Sequence, residues 1–106
     1  MTTIMVTNYR IAYAEGVEQD LGDLQPFHRN VILDAIDTRL RREPAKPSRK
    51  RKMLAGIIPQ FRDVQPVWQL SVGEFRVLYD VQVNHRKVVV LAVRRKPPHM
   101  TTKEML

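Results

Sequence analysis

Tyr9 to Ala14 is rich in aromatic and β-branched residues that alternate in part, a pattern that predicts a strand. The preceding Thr3–Thr7 stretch either extends this strand or forms an arm. From Glu15 onward the apolar positions Val17, Leu21 and Leu24 fall at helical spacing, while Gly16 and Gly22 weaken the segment and predict a short helix. Pro26 suits the first turn of a second helix. Along that helix Phe27, Val31, Ile32, Ala35, Ile36 and Leu40 make one apolar stripe with charged residues opposite, ending before Pro44.

The periodicity then changes from that of helices to that of strands. Val67–Val72 alternates around Trp68, Leu70 and Val72, and Phe75–Val83 places Phe75, Val77, Tyr79, Val81 and Val83 in strict period two. Lys87–Val93 is a nearly unbroken β-branched run, as expected of a central strand covered on both faces. Gly73-Glu74 and Asn84-His85 supply tight turns, so the three strands predict an antiparallel meander. Thr101, with Glu104 three residues on, resembles a capping box that opens a final helix. Between the halves, Arg41 to Lys52 is broken by Pro44 and Pro47 and reads as an extended loop. The order is β-α-α-loop-β-β-β-α, an α+β class in which a strand and a helical hairpin pack on an antiparallel sheet.

At 106 residues the chain has room for one domain, residues 1–106, and one modest core. It has no cysteine, and no stretch approaches the ~20 apolar residues that span a bilayer, so a cytoplasmic protein is expected. Charge narrows the reading further. The net charge is +7, but residues 1–38 hold two bases against six acids and residues 39–106 hold sixteen against five. The proline-broken loop alone holds Arg41, Arg42, Lys46, Arg49, Lys50, Arg51 and Lys52. Such asymmetry points to a polyanionic partner on one side of the molecule. Nucleic acid is favoured over membrane because no basic amphipathic helix with bulky apolar anchors is present. No clustered Asp, Glu and His set suggests a metal or other cofactor.

Several phrases together carry a family resemblance. They are Tyr9-Arg10-Ile11, Asp20-Leu21-x-x-Leu24, Arg51-Lys52-Met53-Leu54-Ala55-Gly56, and the run from Trp68 through Gly73-Glu74-Phe75-Arg76 to Val81. In this order, over about residues 9–100, they resemble the RelE/ParE superfamily of toxins from toxin–antitoxin pairs. The resemblance implies a helical hairpin on a curved antiparallel sheet. It further implies a ribosome-dependent endoribonuclease that cleaves messenger RNA without a metal in bacteria or archaea and is silenced by an antitoxin, here expected to be acidic. A DNA gyrase inhibitor of the ParE kind, or an inert antitoxin-binding homologue, is the other possibility within the superfamily.

The same resemblance singles out residues. Arg76 interrupts an apolar alternating strand, and its planar fork suits a phosphate; the ribonuclease members place an arginine there. The competing reading is a structural ion pair with Glu74 or Asp80. One of Arg94 or Arg95, with Arg95 put first, is expected to share the catalytic role, and His99 to move a proton near neutral pH. Arg94 and Lys96, with Arg49, Lys50, Arg51 and Lys52 of the loop, are expected to contact the RNA backbone of the message or of the ribosome. Trp68 and Tyr79 are expected in the core, and His28 and His85 on the surface. Val67 and Gln69 stand where some ribonuclease members carry lysines, so a general base must come from elsewhere.

Overall fold

A computed structural model of the chain describes residues 8–56, 58–61, 63–64 and 66–96. Along it lie β1 (Arg10–Tyr13), α1 (Val17–Gly22), α2 (Pro26–Leu40), β2 (Arg51–Met53), β3 (Trp68–Val72), β4 (Phe75–Gln82) and β5 (Lys87–Arg95). Single 3₁₀ turns occupy Pro59–Phe61 and Val83–His85. The predicted α+β class and helical hairpin are present. His99 and the helix predicted from Thr101 lie outside the described residues.

The sheet departs from the expectation in two ways. It is mixed, with five strands in the order β1-β5-β4-β3-β2, because β1 pairs parallel with β5 from Arg10↔Lys87 to Tyr13↔Val90. In addition, the end of the basic loop is an edge strand, since Arg51, Lys52 and Met53 pair antiparallel with Leu70, Gln69 and Trp68. Charges on so short an edge strand discourage pairing with other chains. Gly73, at φ 57°, opens the two-residue turn from β3 to β4, a conformation that favours glycine. The expected Asn84-His85 turn is instead the 3₁₀ turn, closed by Arg86 in the left-handed region at φ 48°.

One face of the sheet carries the helices. Val17 and Leu21 of α1 and Ile32, Ile36 and Leu40 of α2 pack on Trp68, Leu70, Phe75, Val77, Tyr79, Val88 and Val90. Each such side chain contributes roughly 1.5–3 kcal/mol on burial. Phe27 and Val31, expected in the buried stripe, are 72% and 42% exposed and flank a shallow groove with Val72 and Phe75. The hairpin is pinned by Arg29, whose guanidinium donates to the Leu21 and Leu24 carbonyls, at the end of α1 and just beyond it, at 3.2 and 3.1 Å. Where the Ala14 amide makes its bond to Val90, beyond the end of β1, α1 takes over the edge of β5. Its Asp20 carboxylate accepts the otherwise unpaired amide of Val93 at 3.2 Å.

The opposite, outer face is covered over half its extent. The segment after β2 brings Leu54, Ile58 and Val67 onto Leu78 and Ala92, with Phe61, Val64 and Leu91 packed at the margin. A β-bulge makes this possible. Leu78 pairs with Ala92 but Tyr79 pairs with Val90, so Leu91 has no partner on β4. The extra residue turns Leu91 and Ala92 to the same, outer face and inverts the alternation for the rest of β5.

Candidate nucleic-acid interface

Beyond the bulge, Arg94 pairs with Arg76 and Arg95 with Phe75. Register partners share a face, so Arg94 and Arg76 stand side by side on the outer face, while Arg95 turns to the helix side with Phe75. Of the two arginines expected beside Arg76, it is Arg94 that shares its face. The Arg95 guanidinium lies 4.8 Å from the Phe75 ring centroid and 2.9 Å from the Glu74 carboxylate. Its position is that of a half-exposed structural pair at the turn.

Arg76 makes no ion pair with Glu74 or Asp80. Its Nη1 donates to the Gly73 and Phe75 carbonyls, each at 2.8 Å, and no carboxylate among the described residues lies within salt-bridge distance. Arg94 donates to Asp20 at 2.6 Å and to the Val93 carbonyl at 3.0 Å. Two like charges placed directly opposite cost a sheet a few tenths to ~1 kcal/mol. One carboxylate, shared with the Val93 amide, offsets two guanidinium groups. The remaining positive charge faces solvent, where an anion would relieve it.

The face extends toward β2. Ser71 pairs with Arg76 from the β3 side, and its amide donates to the Lys50 carbonyl at 2.7 Å. Lys52 pairs with Gln69 and therefore shares the outer face with Gln69 and Leu78, whereas Arg51 falls on the helix side. Gln69 is buried, and Val67 belongs to the second core. Lys52 thus lies beside Gln69, and the Lys50 backbone beside Ser71. Arg49 is exposed beside them. Lys96 follows β5, and its amide donates to the Glu74 carbonyl at 2.7 Å.

The basic loop is anchored at both ends of its course. Tyr79, fully buried and stacked on Trp68 at 6.4 Å, donates its hydroxyl to the Pro44 carbonyl at 2.7 Å. Burial pushes the Tyr79 phenol well above its ordinary value, with Arg51 acting weakly in the opposite direction. Arg51 donates to the Arg39 and Glu43 carbonyls, both at 2.8 Å, which ties it to the end of α2. Of the four loop bases singled out in the sequence, Arg51 is therefore committed to structure, and Arg49, Lys50 and Lys52 present their charge to solvent. His85 is exposed, as expected; His28 is half-buried, 5.2 Å from the Phe75 ring. Among the described residues no group of three or more His, Asp or Glu is placed to hold a metal ion. No helix of the described residues is long and apolar enough to cross a membrane.

Local alternation points Arg76 outward and the basic strand end marks Arg94, but no local signal points out Asp20 or sets which face Arg94 takes. Their roles come from the bulge and from a contact between residues far apart in the chain. Neither a family model nor a curated protein matches this sequence. Solved structures do match in fold. The RelBE2 toxin–antitoxin complex of Mycobacterium tuberculosis contains a chain at TM-score 0.69 and 23% identity, over 89% of this chain and 98% of that one. The archaeal RelE–RelB complex of Pyrococcus horikoshii gives 0.65 and 22%, over 87% and 97%. An arginine-to-alanine mutant of the Escherichia coli toxin RelE, bound to a peptide of its antitoxin, gives 0.56 and 13%, over 96% of each chain. The chain has the fold of the RelE toxins.

Proposed function

On that fold we propose a RelE-type toxin: a cytoplasmic endoribonuclease that cleaves messenger RNA on the ribosome and is held inactive by a cognate antitoxin. The observation that carries this reading is the register pairing of Arg76 with Arg94 on the open half of the outer face. Among the described residues only Arg94 of the two guanidinium groups has a carboxylate partner, Asp20, so the pair keeps a positive charge that suits an anion. The reaction is attack of a 2′-hydroxyl on the adjacent phosphate, giving a 2′,3′-cyclic phosphate and a 5′-hydroxyl. Arg76 and Arg94 stabilise the added negative charge of the phosphorane, an interaction stronger in the transition state than in the bound substrate. Arg94 exchanges part of its bond to Asp20 for the phosphate. Lys50, Lys52 and Arg49 hold flanking phosphates, and His99 protonates the leaving oxygen or activates the nucleophile.

The antitoxin partner is supported by the structural relatives, which are toxins solved in complex with their antitoxins. An acidic segment is the natural cover for the open half of the face. The test is induced expression in a bacterial host, with primer extension on a reporter message. Growth arrest with cuts that disappear in Arg76→Ala supports the reading. Arrest without cuts but with DNA-damage signalling would assign the protein to gyrase inhibition, and no arrest would leave an inert antitoxin-binding homologue.

A further inference from the structure

Beside the arginine pair lies a cavity of about 270 Å³ between α1, the Pro59–Phe61 turn and β5. Arg94 belongs to both places: its guanidinium is one wall of the cavity, and its register partner is Arg76. The half-buried Phe61 ring and Leu91, the bulged residue, form the apolar wall. Glu15, exposed and without an ion pair among the described residues, stands at the mouth. The cavity is smaller than the roughly 300–1,000 Å³ of sites for drug-sized ligands, and so suits a single heterocycle. Carboxylates of Glu15 and Asp20 on its rim repel phosphate. An aromatic wall beside an anion-binding arginine is the arrangement that stacks an RNA base next to its own phosphate.

We propose that this cavity is a guanine-reading pocket for the nucleotide whose phosphate lies between Arg76 and Arg94, an inference that rests on the reading of that face as the RNA site. The identity of the base follows from Glu15. A carboxylate offers two acceptors side by side, and guanine alone presents two adjacent N–H donors, N1–H and the exocyclic amine, on its pairing edge. Adenine and cytosine offer one amine beside a bare ring nitrogen that the carboxylate repels, and uracil flanks its single N–H with two carbonyls. Phe61 and Leu91 supply the stacking surface for any base, and Glu15 supplies the choice among them.

The experiment is fluorescence anisotropy of the full chain with labelled 2′-O-methyl hexamers, which lack the attacking hydroxyl: all uridine, or uridine with one guanosine, adenosine or cytidine. The guanosine strand is expected to bind roughly tenfold more tightly than the others, the worth of a charged pair of hydrogen bonds at a half-open site. Glu15→Gln should erase that margin without weakening the all-uridine strand, since Glu15 is exposed and its charge only repels the RNA backbone. A guanosine strand no tighter than the rest, or a margin that survives Glu15→Gln, overturns the pocket. Arg76→Ala is expected to weaken all four strands alike. Unchanged binding in that variant overturns the reading of the face while a margin lost in Glu15→Gln still supports the pocket, and no binding to any strand overturns both.

Discussion

The two halves of the outer face begin from the same strand alternation and reach opposite ends. Leu78 and Arg76 are successive outward positions on β4, and Ala92 and Arg94 are their partners on β5. Over Leu78 and Ala92 the chain lays Leu54, Ile58 and Val67 and makes a second core. Arg76 and Arg94 lie outside that core and stay partly exposed. The same sheet is therefore stabilised where it is covered and burdened by like charge where it is open.

Substitution should separate the halves, and the largest effect is expected on the open one. Arg76→Ala should lower the rate of message cleavage by about 10²–10³-fold, the typical cost of removing one charge-stabilising donor. Urea unfolding of that variant should stay within ~0.5 kcal/mol of the parent, because the residue bonds only two carbonyls at the turn and makes no ion pair among the described residues. On the covered half, Leu78→Ala removes a side chain with no solvent exposure and should cost about 3 kcal/mol in the same unfolding measurement. Cleavage per folded molecule should stay near the parent rate. If Leu78→Ala were nearly neutral in stability, the second core would not be a core.

Smaller changes sharpen the boundary. Tyr79→Phe leaves the buried Pro44 carbonyl without its donor and should cost about 1–2 kcal/mol near neutral pH. The phenol is held above its ordinary value of 10.0, so the unfolded chain releases that proton first. The stabilisation it brings is complete below pH 10 and declines as pH rises beyond it. Unfolding at pH 8 and pH 11 should show the parent losing more stability than Tyr79→Phe over that interval. The smallest effect is expected for Arg95→Ala, about 0.5 kcal/mol, since both members of its ion pair are half exposed. Its cleavage activity should stay within about threefold of the parent; a loss as deep as that of Arg76→Ala would return Arg95 to the site.

Arg94 and Arg95 also show where the sequence was legible and where it was not. The helices, the three long strands and the outward position of Arg76 all follow from periods of a few residues. β2 does not, because Arg-Lys-Met has no alternation and becomes a strand only by pairing with β3. The parallel pairing of β1 with β5 joins the two ends of the described chain, which no local pattern encodes. Counting by twos from Val88 and Val90 would place Arg94 on the helix side and Arg95 outside. The unmatched Leu91 reverses that count, and with it the choice of arginine. Asp20 looks from the sequence like any acid on a short helix, and gains its role only when α1 meets the edge of β5.

The place of β5 has a consequence for biosynthesis. Of the described strands it is the last to be made, yet it sits inside the sheet, between β1 and β4. Until it emerges, β1 has no neighbour, β4 has one free edge, and Arg76 has no Arg94 beside it. The nascent chain therefore cannot assemble the arginine pair, however long the ribosome pauses before β5. Such a protein completes its sheet, and the arginine pair with it, only late in its own synthesis.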